Sequence, residues 1–258
     1  MGPGCYRFGE SVLWTTTEYD LFGRVTSVTT PDTAAIRTAY AGDRFLLTEQ
    51  AGKQRVSRVD ALGQVRDVWE IKSVDGSTEA VSFPNHPEVT AGYRTTYEYD
   101  TLGNIVKVTQ GAQQRYFMFD SLKRLIRMRA PEQGTYAPLN LSDPVTGNSA
   151  WSAGYQFDAN GNLTQRTDAR GVISTYTYDA LNLITTIDHS DTASINPDVR
   201  RFYDGAINGK GRFWYFYKGG DASTGANVDH IAVDSYDAMG RPAVQRQLFK
   251  LNSVWGPT

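Results

Sequence analysis

Tyr99-Asp100-Thr101-Leu102-Gly103-Asn104-Ile105 joins two runs that alternate in polarity, and its pattern returns along the chain. The same order, an aromatic, Asp, two residues, Gly, a polar residue and an aliphatic, reads Tyr19-Asp20-Leu21-Phe22-Gly23-Arg24-Val25 and Phe157-Asp158-Ala159-Asn160-Gly161-Asn162-Leu163. Weaker copies run over 59–65 (with Asp60 and Gly63), 119–125 (Phe119, Asp120), 178–184 (Tyr178, Asp179) and 236–242 (Tyr236, Asp237, Gly240). An eighth begins at Tyr203-Asp204, spans about 203–213 and is broken by inserted sequence. The seven aspartates are spaced 40, 40, 20, 38, 21 and 58 residues apart, close to multiples of about 20. Weaker turn signals fall between them, at Pro31-Asp32, Ala51-Gly52, Gly111, 131–134 and Asp168-Ala169-Arg170-Gly171. A turn about every ten residues leaves room for strands of six or seven and none for ordinary helices. The fold class is all-β: an antiparallel meander of about twenty strands.

Asp at the first turn position accepts backbone N–H bonds, and Gly enters the left-handed region at no steric cost. Asp-x-x-Gly between strands therefore predicts a type I turn closed by a glycine bulge. Asn182 at the Gly position tolerates that conformation, and Lys123 tolerates it less well. Tyr97/Tyr99, Phe117/Phe119, Tyr155/Phe157 and Tyr176/Tyr178 put two rings on one face of a strand. After the turn, aliphatics recur three apart, as in Val25/Val28 and Ile105/Val108. That spacing fits either a bulge in the returning strand or partial burial of both faces. The second central turn residue is Phe22, Leu62, Leu102, Leu122, Asn160, Leu181 or Met239, apolar in six of seven copies, which predicts that the tips are covered.

The chain has 258 residues, a net charge of -2 and no basic block, so nothing favours a nucleic-acid partner. Cys5 is the only cysteine, which excludes an internal disulfide framework or a thiolate metal cluster. No apolar run is long enough for a membrane helix, and the first residues lack the pattern of a signal peptide. His86, His189 and His230 lie in separate insertions without metal-ligand spacing. No nucleophile elbow or phosphate loop is present. No catalytic, cofactor-binding or metal-ligating residue is assigned, and turn chemistry accounts for the repeated aspartates.

These motifs resemble those of the RHS/YD-repeat family of bacterial polymorphic toxins, insecticidal toxin complexes and teneurin receptors, from about Tyr19 to about Arg246. The resemblance implies a curved β-ribbon that spirals into a hollow shell, of which 258 residues form a partial shell read as a single segment, 1–258. It implies a non-catalytic structural role, enclosing a polypeptide cargo such as a C-terminal toxin domain. It also implies a secreted or cell-surface location as part of a longer parent chain, whose other segments are partners. Neither a self-cleaving aspartate site nor a following toxic domain is recognisable here. Open sheet edges predict self-association unless they are covered. The rival reading is an extracellular recognition module that binds carbohydrate or a protein, with Trp151 and Trp214 as candidate contacts. Insertions near 73–92, 134–153, 189–200 and 205–230 are read as surface loops.

Overall fold

The computed structural model describes residues 14–42, 44–72, 78–191, 198–219, 229–251 and 254–257. Among them are twenty β-strands and a single 3-10 turn, Ala137–Leu139. The pairings between strands are antiparallel, and the chain divides into two compact units, Met1–Arg115 and Tyr116–Thr258.

The first unit contains β1 (Thr16–Tyr19), β2 (Val25–Thr29), β3 (Ala35–Ala41), β4 (Phe45–Gln50), β5 (Lys53–Val59), β6 (Val65–Ile71), β7 (Glu79–Ala80), β8 (Ala91–Tyr99) and β9 (Ile105–Gln110). Strands β1 to β6 pair in sequence, and β6 then pairs with β8. The two-residue β7 also joins the start of β8. The second unit takes β10 (Gln113–Phe119) from Tyr116 onward, then β11 (Leu125–Arg129), β12 (Ala153–Phe157), β13 (Leu163–Thr167), β14 (Ile173–Tyr178) and β15 (Ile184–His189). It continues through β16 (Val199–Tyr203), β17 (Phe213–Lys218), β18 (Asp229–Tyr236), β19 (Pro242–Leu251) and β20 (Val254–Pro257), each paired with the next.

Each motif turn is followed by the same register slip. Glu18 opposes Ser27 while Tyr19 opposes Val25, which leaves Thr26 as an extra residue. The slip recurs with Arg66, Val106, Ile126, Thr164, Thr185, Trp214 and Ala243 as the extra residue. This bulge decides the question left open by the aliphatic spacing. Val25 and Val28 oppose Tyr19 and Thr17, two residues of one face, so a spacing of three keeps both aliphatics on that face.

A single sheet layer buries little by itself, and two of the insertions supply the missing layer. In the first unit, Phe83 and Val89 close over Leu47, Val56 and Trp69, which neighbour one another across β4, β5 and β6. Phe45 stacks on Phe83 at 5.4 Å and meets Trp69 edge-on at 6.2 Å. On the same face the buried Asp67 carboxylate is held by Arg58 and by Arg94, whose Nε and Nη2 lie 2.9 and 2.7 Å from Oδ1. In the second unit, Trp151 is fully buried, and its Nε1–H donates to the Leu141 carbonyl at 2.7 Å. Leu139 sits so close to β12 that a Cβ on Gly154 would lie 2.6 Å from its Cδ2.

Several expectations need correction. The segments near 73–92 and 134–153 are packing elements rather than surface decoration, although 73–77 lie outside the described residues. The segment near 205–230 contains β17 and the start of β18, because Phe213–Lys218 pairs on both sides. The segment near 189–200 contains the start of β16, and 192–197 lie outside the described residues. The apolar tips are not covered: Phe22, Leu62, Leu122, Leu181 and Met239 are exposed, and Leu102 is half exposed.

Trp151→Ala should destabilise the chain by about 3–5 kcal/mol, the usual effect of emptying a fully buried aromatic site. Urea unfolding monitored by circular dichroism would measure it. A loss below about 1 kcal/mol would show that the 134–152 segment does not hold the sheet.

Candidate functional site

The residues singled out by the repeat form a recurring polar staple. At Asp20, Oδ1 accepts from the Phe22 and Arg24 N–H groups, both at 2.9 Å. The Asp20 carbonyl accepts from Gly23 N–H, and Asp20 N–H donates to the Arg24 carbonyl. The second carboxylate oxygen takes the side chain at the fourth position after the aspartate, here Arg24 Nε at 2.7 Å. Asp60, Asp100, Asp120, Asp158, Asp179 and Asp237 repeat the backbone part of this arrangement.

Asp168 makes the same bonds to Arg170, Gly171 and Val172, so a turn that reads in the sequence as a half-period signal has the same closed frame, although β13 and β14 pair without the register slip. Gly23, Gly63, Gly103, Gly161 and Gly240 take positive φ, and Lys123 (φ 62) and Asn182 (φ 61) occupy the same conformation. Thr30 replaces Asp in another five-residue turn, with Thr33 at φ 70 in the glycine place. At the broken copy, Asp204 N–H reaches the Arg212 carbonyl and Asp204 Oδ1 accepts from Gly211 N–H, so the frame survives four extra residues.

A second set of contacts ties successive repeats together, and sequence reasoning did not find it. The motif tyrosine hydroxyl donates to the carbonyl of the first strand residue after the preceding turn. Tyr99 reaches Val65 at 2.8 Å, Tyr178 reaches Leu163 at 2.8 Å, Tyr203 reaches Ile184 at 2.8 Å and Tyr236 reaches Phe213 at 2.6 Å. Tyr40, outside any recognised motif, makes the same bond to Val25 at 2.9 Å. Arginine completes the link. Arg24 lies 4.2 Å over the Tyr40 ring, Arg66 4.9 Å over Tyr99, Arg124 4.9 Å over Phe157 and Arg212 5.4 Å over Tyr236. Arg124 also donates from Nη1 to the Asp158 carbonyl at 3.1 Å. The available signal was an Arg shortly after the turn, at 24, 66, 124 and 212, taken with the aromatic of a later strand.

These bonds hold the turn carboxylates in their charged form. At Asp20, Asp60 and Asp168 loss of water raises the carboxyl pKa, but hydrogen bonds from the turn backbone and arginine outweigh it and the net direction is down. At Asp120 and Asp237 the leading cause is the backbone N–H of Arg124 or Arg241, and at Asp158 it is the Asn162 side chain; all three are lowered.

The two tryptophans expected as binding contacts differ in exposure. Trp151 is fully buried and cannot meet a ligand. Trp214 is the bulge residue of its hairpin and retains 38% exposure. Its indole lies against the Gly205 backbone, where a Cβ would fall 2.1 Å from Cδ2. Ser174 and His189 are cross-strand partners with Oγ and Nδ1 2.9 Å apart, and His86 contacts Glu88. Among the described residues no three His, Cys, Asp or Glu side chains converge as a metal site, and no helix is long and apolar enough to cross a membrane.

Depressed carboxyl pKa values contribute stability that is present above the unfolded aspartate value, about 3.9, and is lost as pH falls through the lower folded values. The melting temperature should be level between about pH 7 and pH 5 and fall below about pH 4. Asp→Asn substitution at 20, 60 and 120 together should flatten that fall; an unchanged acid limb would remove the turn carboxylates as its source. Tyr99→Phe, which deletes one inter-repeat bond and keeps the ring, should lower unfolding free energy by about 0.5–1.5 kcal/mol in a urea titration. No change would show that the hydroxyl is dispensable.

Residues 157–194, which contain the Asp158, Asp168 and Asp179 turns, match the family model described as RHS Repeat. No curated protein matches the chain. The crystal structure of TcdB2-TccC3 is similar over 95% of this chain, with 14% identity and a TM-score of 0.62. A Photorhabdus luminescens Tc holotoxin pore carrying a TccC3 mutation is similar over 93%, with 14% identity and a TM-score of 0.62. The chain spans only 12% and 11% of those two chains, so the likeness is one of fold. Residues 157–194 thus match an RHS repeat, and over most of its length the chain shares the fold of these toxin structures.

Proposed function

We propose that this chain is a wall segment of an RHS-repeat shell that encloses and shields a polypeptide cargo, such as a C-terminal toxin domain, without catalysing a reaction. The observation that carries this reading is the use of the repeated polar groups. The carboxylates that recur along the chain are committed to their own turns, the recurring tyrosine hydroxyls to the preceding repeat and the arginines to the next. Such a sheet has the chemistry of a barrier. It keeps a cargo from solvent and from other proteins by exclusion, and specificity for a substrate is not required.

The likeness to Tc toxin structures supports a place within a longer parent chain, secreted or at the cell surface. Its neighbours there would be other segments of that chain. The four residues of β1, Thr16–Tyr19, are exposed, and among the described residues β1 pairs only with β2. That edge would accept an adjoining strand of the parent or, in the isolated chain, a second copy.

Limited proteolysis tests the reading. In the parent protein the domain following the repeats should resist added protease, and deleting strand pairs from the repeat region should expose it. Equal digestion rates with intact and interrupted repeats would reject enclosure.

A further inference from the structure

We propose that the open edge of β1 is one half of a repeat-to-repeat interface, and that its partner is the exposed edge of β19 in a second copy of this chain. This rests on reading the chain as one segment of a repeat wall. The same interface recurs inside the chain. The hydroxyls of Tyr99, Tyr178, Tyr203 and Tyr236 each donate to the carbonyl of the first strand residue after the preceding turn. Tyr19 stands at the same motif position, yet it is 62% exposed and its hydroxyl has no hydrogen-bond partner among the described residues. All four residues of β1 are exposed, and among the described residues only β2 pairs with it.

The last motif hairpin presents the complementary half. Pro242 is the first strand residue after the Asp237 turn, so its carbonyl holds the place that Val65 and Leu163 hold for Tyr99 and Tyr178. Away from β18, β19 pairs among the described residues with β20 alone, over 248–251, and residues 241–246 are exposed. Arg241 corresponds to Arg24 and Arg124, since its Nε reaches the turn carboxylate of Asp237 at 2.8 Å. Those two arginines also lie over an aromatic ring. Arg241 has no ring against it among the described residues, and its side chain is 71% exposed. One edge therefore carries a tyrosine without its carbonyl and cation, and the other carries the carbonyl and cation without a tyrosine.

The internal copies fix the register. Continuing the β13–β14 ladder from Gln165 and Thr175 puts Thr177, the residue before Tyr178, level with Leu163. The same offset sets Glu18 opposite Pro242, Thr17 opposite Ala243 and Thr16 opposite Val244 of the other copy. The contact is head-to-tail, between unlike surfaces. Pairing β1 with β1 would also add a strand to each sheet, but it brings two tyrosines together and supplies no turn arginine.

Sedimentation velocity and cysteine trapping of the full chain test the pairing. The chain should associate as its concentration rises. Tyr19→Phe, which removes a hydroxyl that bonds nothing within a copy, should weaken association about three- to tenfold. Tyr99→Phe, which removes an internal link, should change it by less than about twofold. In a Cys5→Ser background with glutathione disulfide as oxidant, a mixture of Thr17→Cys and Ala243→Cys chains should form disulfide dimers at least about fivefold faster than either chain alone. A monomer at every concentration would overturn the pairing. So would equal association of the wild type and Tyr19→Phe, or dimers formed fastest by Thr17→Cys alone. Protease protection in the parent depends on the wall and not on contacts between copies, so failure of this edge and failure of enclosure are told apart.

Discussion

The structure depends on a carboxylate held against the backbone of its own turn. Backbone N–H groups in a tight turn need acceptors, and an aspartate at the first position supplies one oxygen to two of them. Its own carbonyl takes a third, at the glycine place, and its amide closes the frame onto the fourth following residue. In the motif hairpins the frame is followed by the extra residue of the bulge, which sets which side chains of the returning strand share a face; the Asp168 and Thr30 turns have the frame without the slip. Register in a sheet is otherwise weakly specified when both faces are partly polar, as they are here. The aspartate thus fixes the closing strand pair of each hairpin, as in Tyr19–Val25 and Thr167–Ile173.

Local closure alone would give a string of independent hairpins, and isolated hairpins are marginal in water. The tyrosine hydroxyls and arginines connect them. A motif tyrosine bonds the carbonyl beside the preceding bulge, at the place where the ladder is interrupted and an acceptor needs a partner. The arginine that neutralises one turn's aspartate lies over the aromatic that introduces another. One residue therefore answers to two turns, and the unit of stability is the adjacent pair of repeats. The spread of residues at the aromatic position follows from this division of labour. Phe157 keeps the cation contact without the hydroxyl, so losing one link leaves the other in place.

The meander, its turns and its strand number are legible in the sequence, because aspartate and glycine at fixed spacing constrain the backbone directly. The Asp168 turn is only half legible. Thr167 stands where the motif aromatic should be, so the copy looks incomplete although its backbone frame is whole. The fate of the insertions is not legible. Phe83, Val89 and Trp151 lie in irregular segments without periodicity, and their burial is a tertiary outcome with no local signature. The apolar tips mislead for the converse reason. Leucine at an exposed hairpin tip has a regular position in the sequence, and regularity by itself does not distinguish a buried place from an exposed one. Nor can spacing find the ring cluster of Phe202, Tyr215 and Tyr217, whose members come from two strands separated by a broken repeat.

Turns and strand faces divide the chemistry of such a sheet between them. The turn aspartates are fixed by geometry and cannot be recruited without loss of register, so repeated residues are poor material for new function. Strand residues between the bulge and the opposite turn face no such demand. In β16 and β17 those places hold Arg200, Phe202, Tyr215 and Tyr217, while Tyr203 and Tyr236 nearby keep their bonds to Ile184 and Phe213. The scaffold and this aromatic cluster therefore use different residues of the same sheet. A substitution in the cluster leaves the staples intact, so the strand faces can vary without changing how the chain folds.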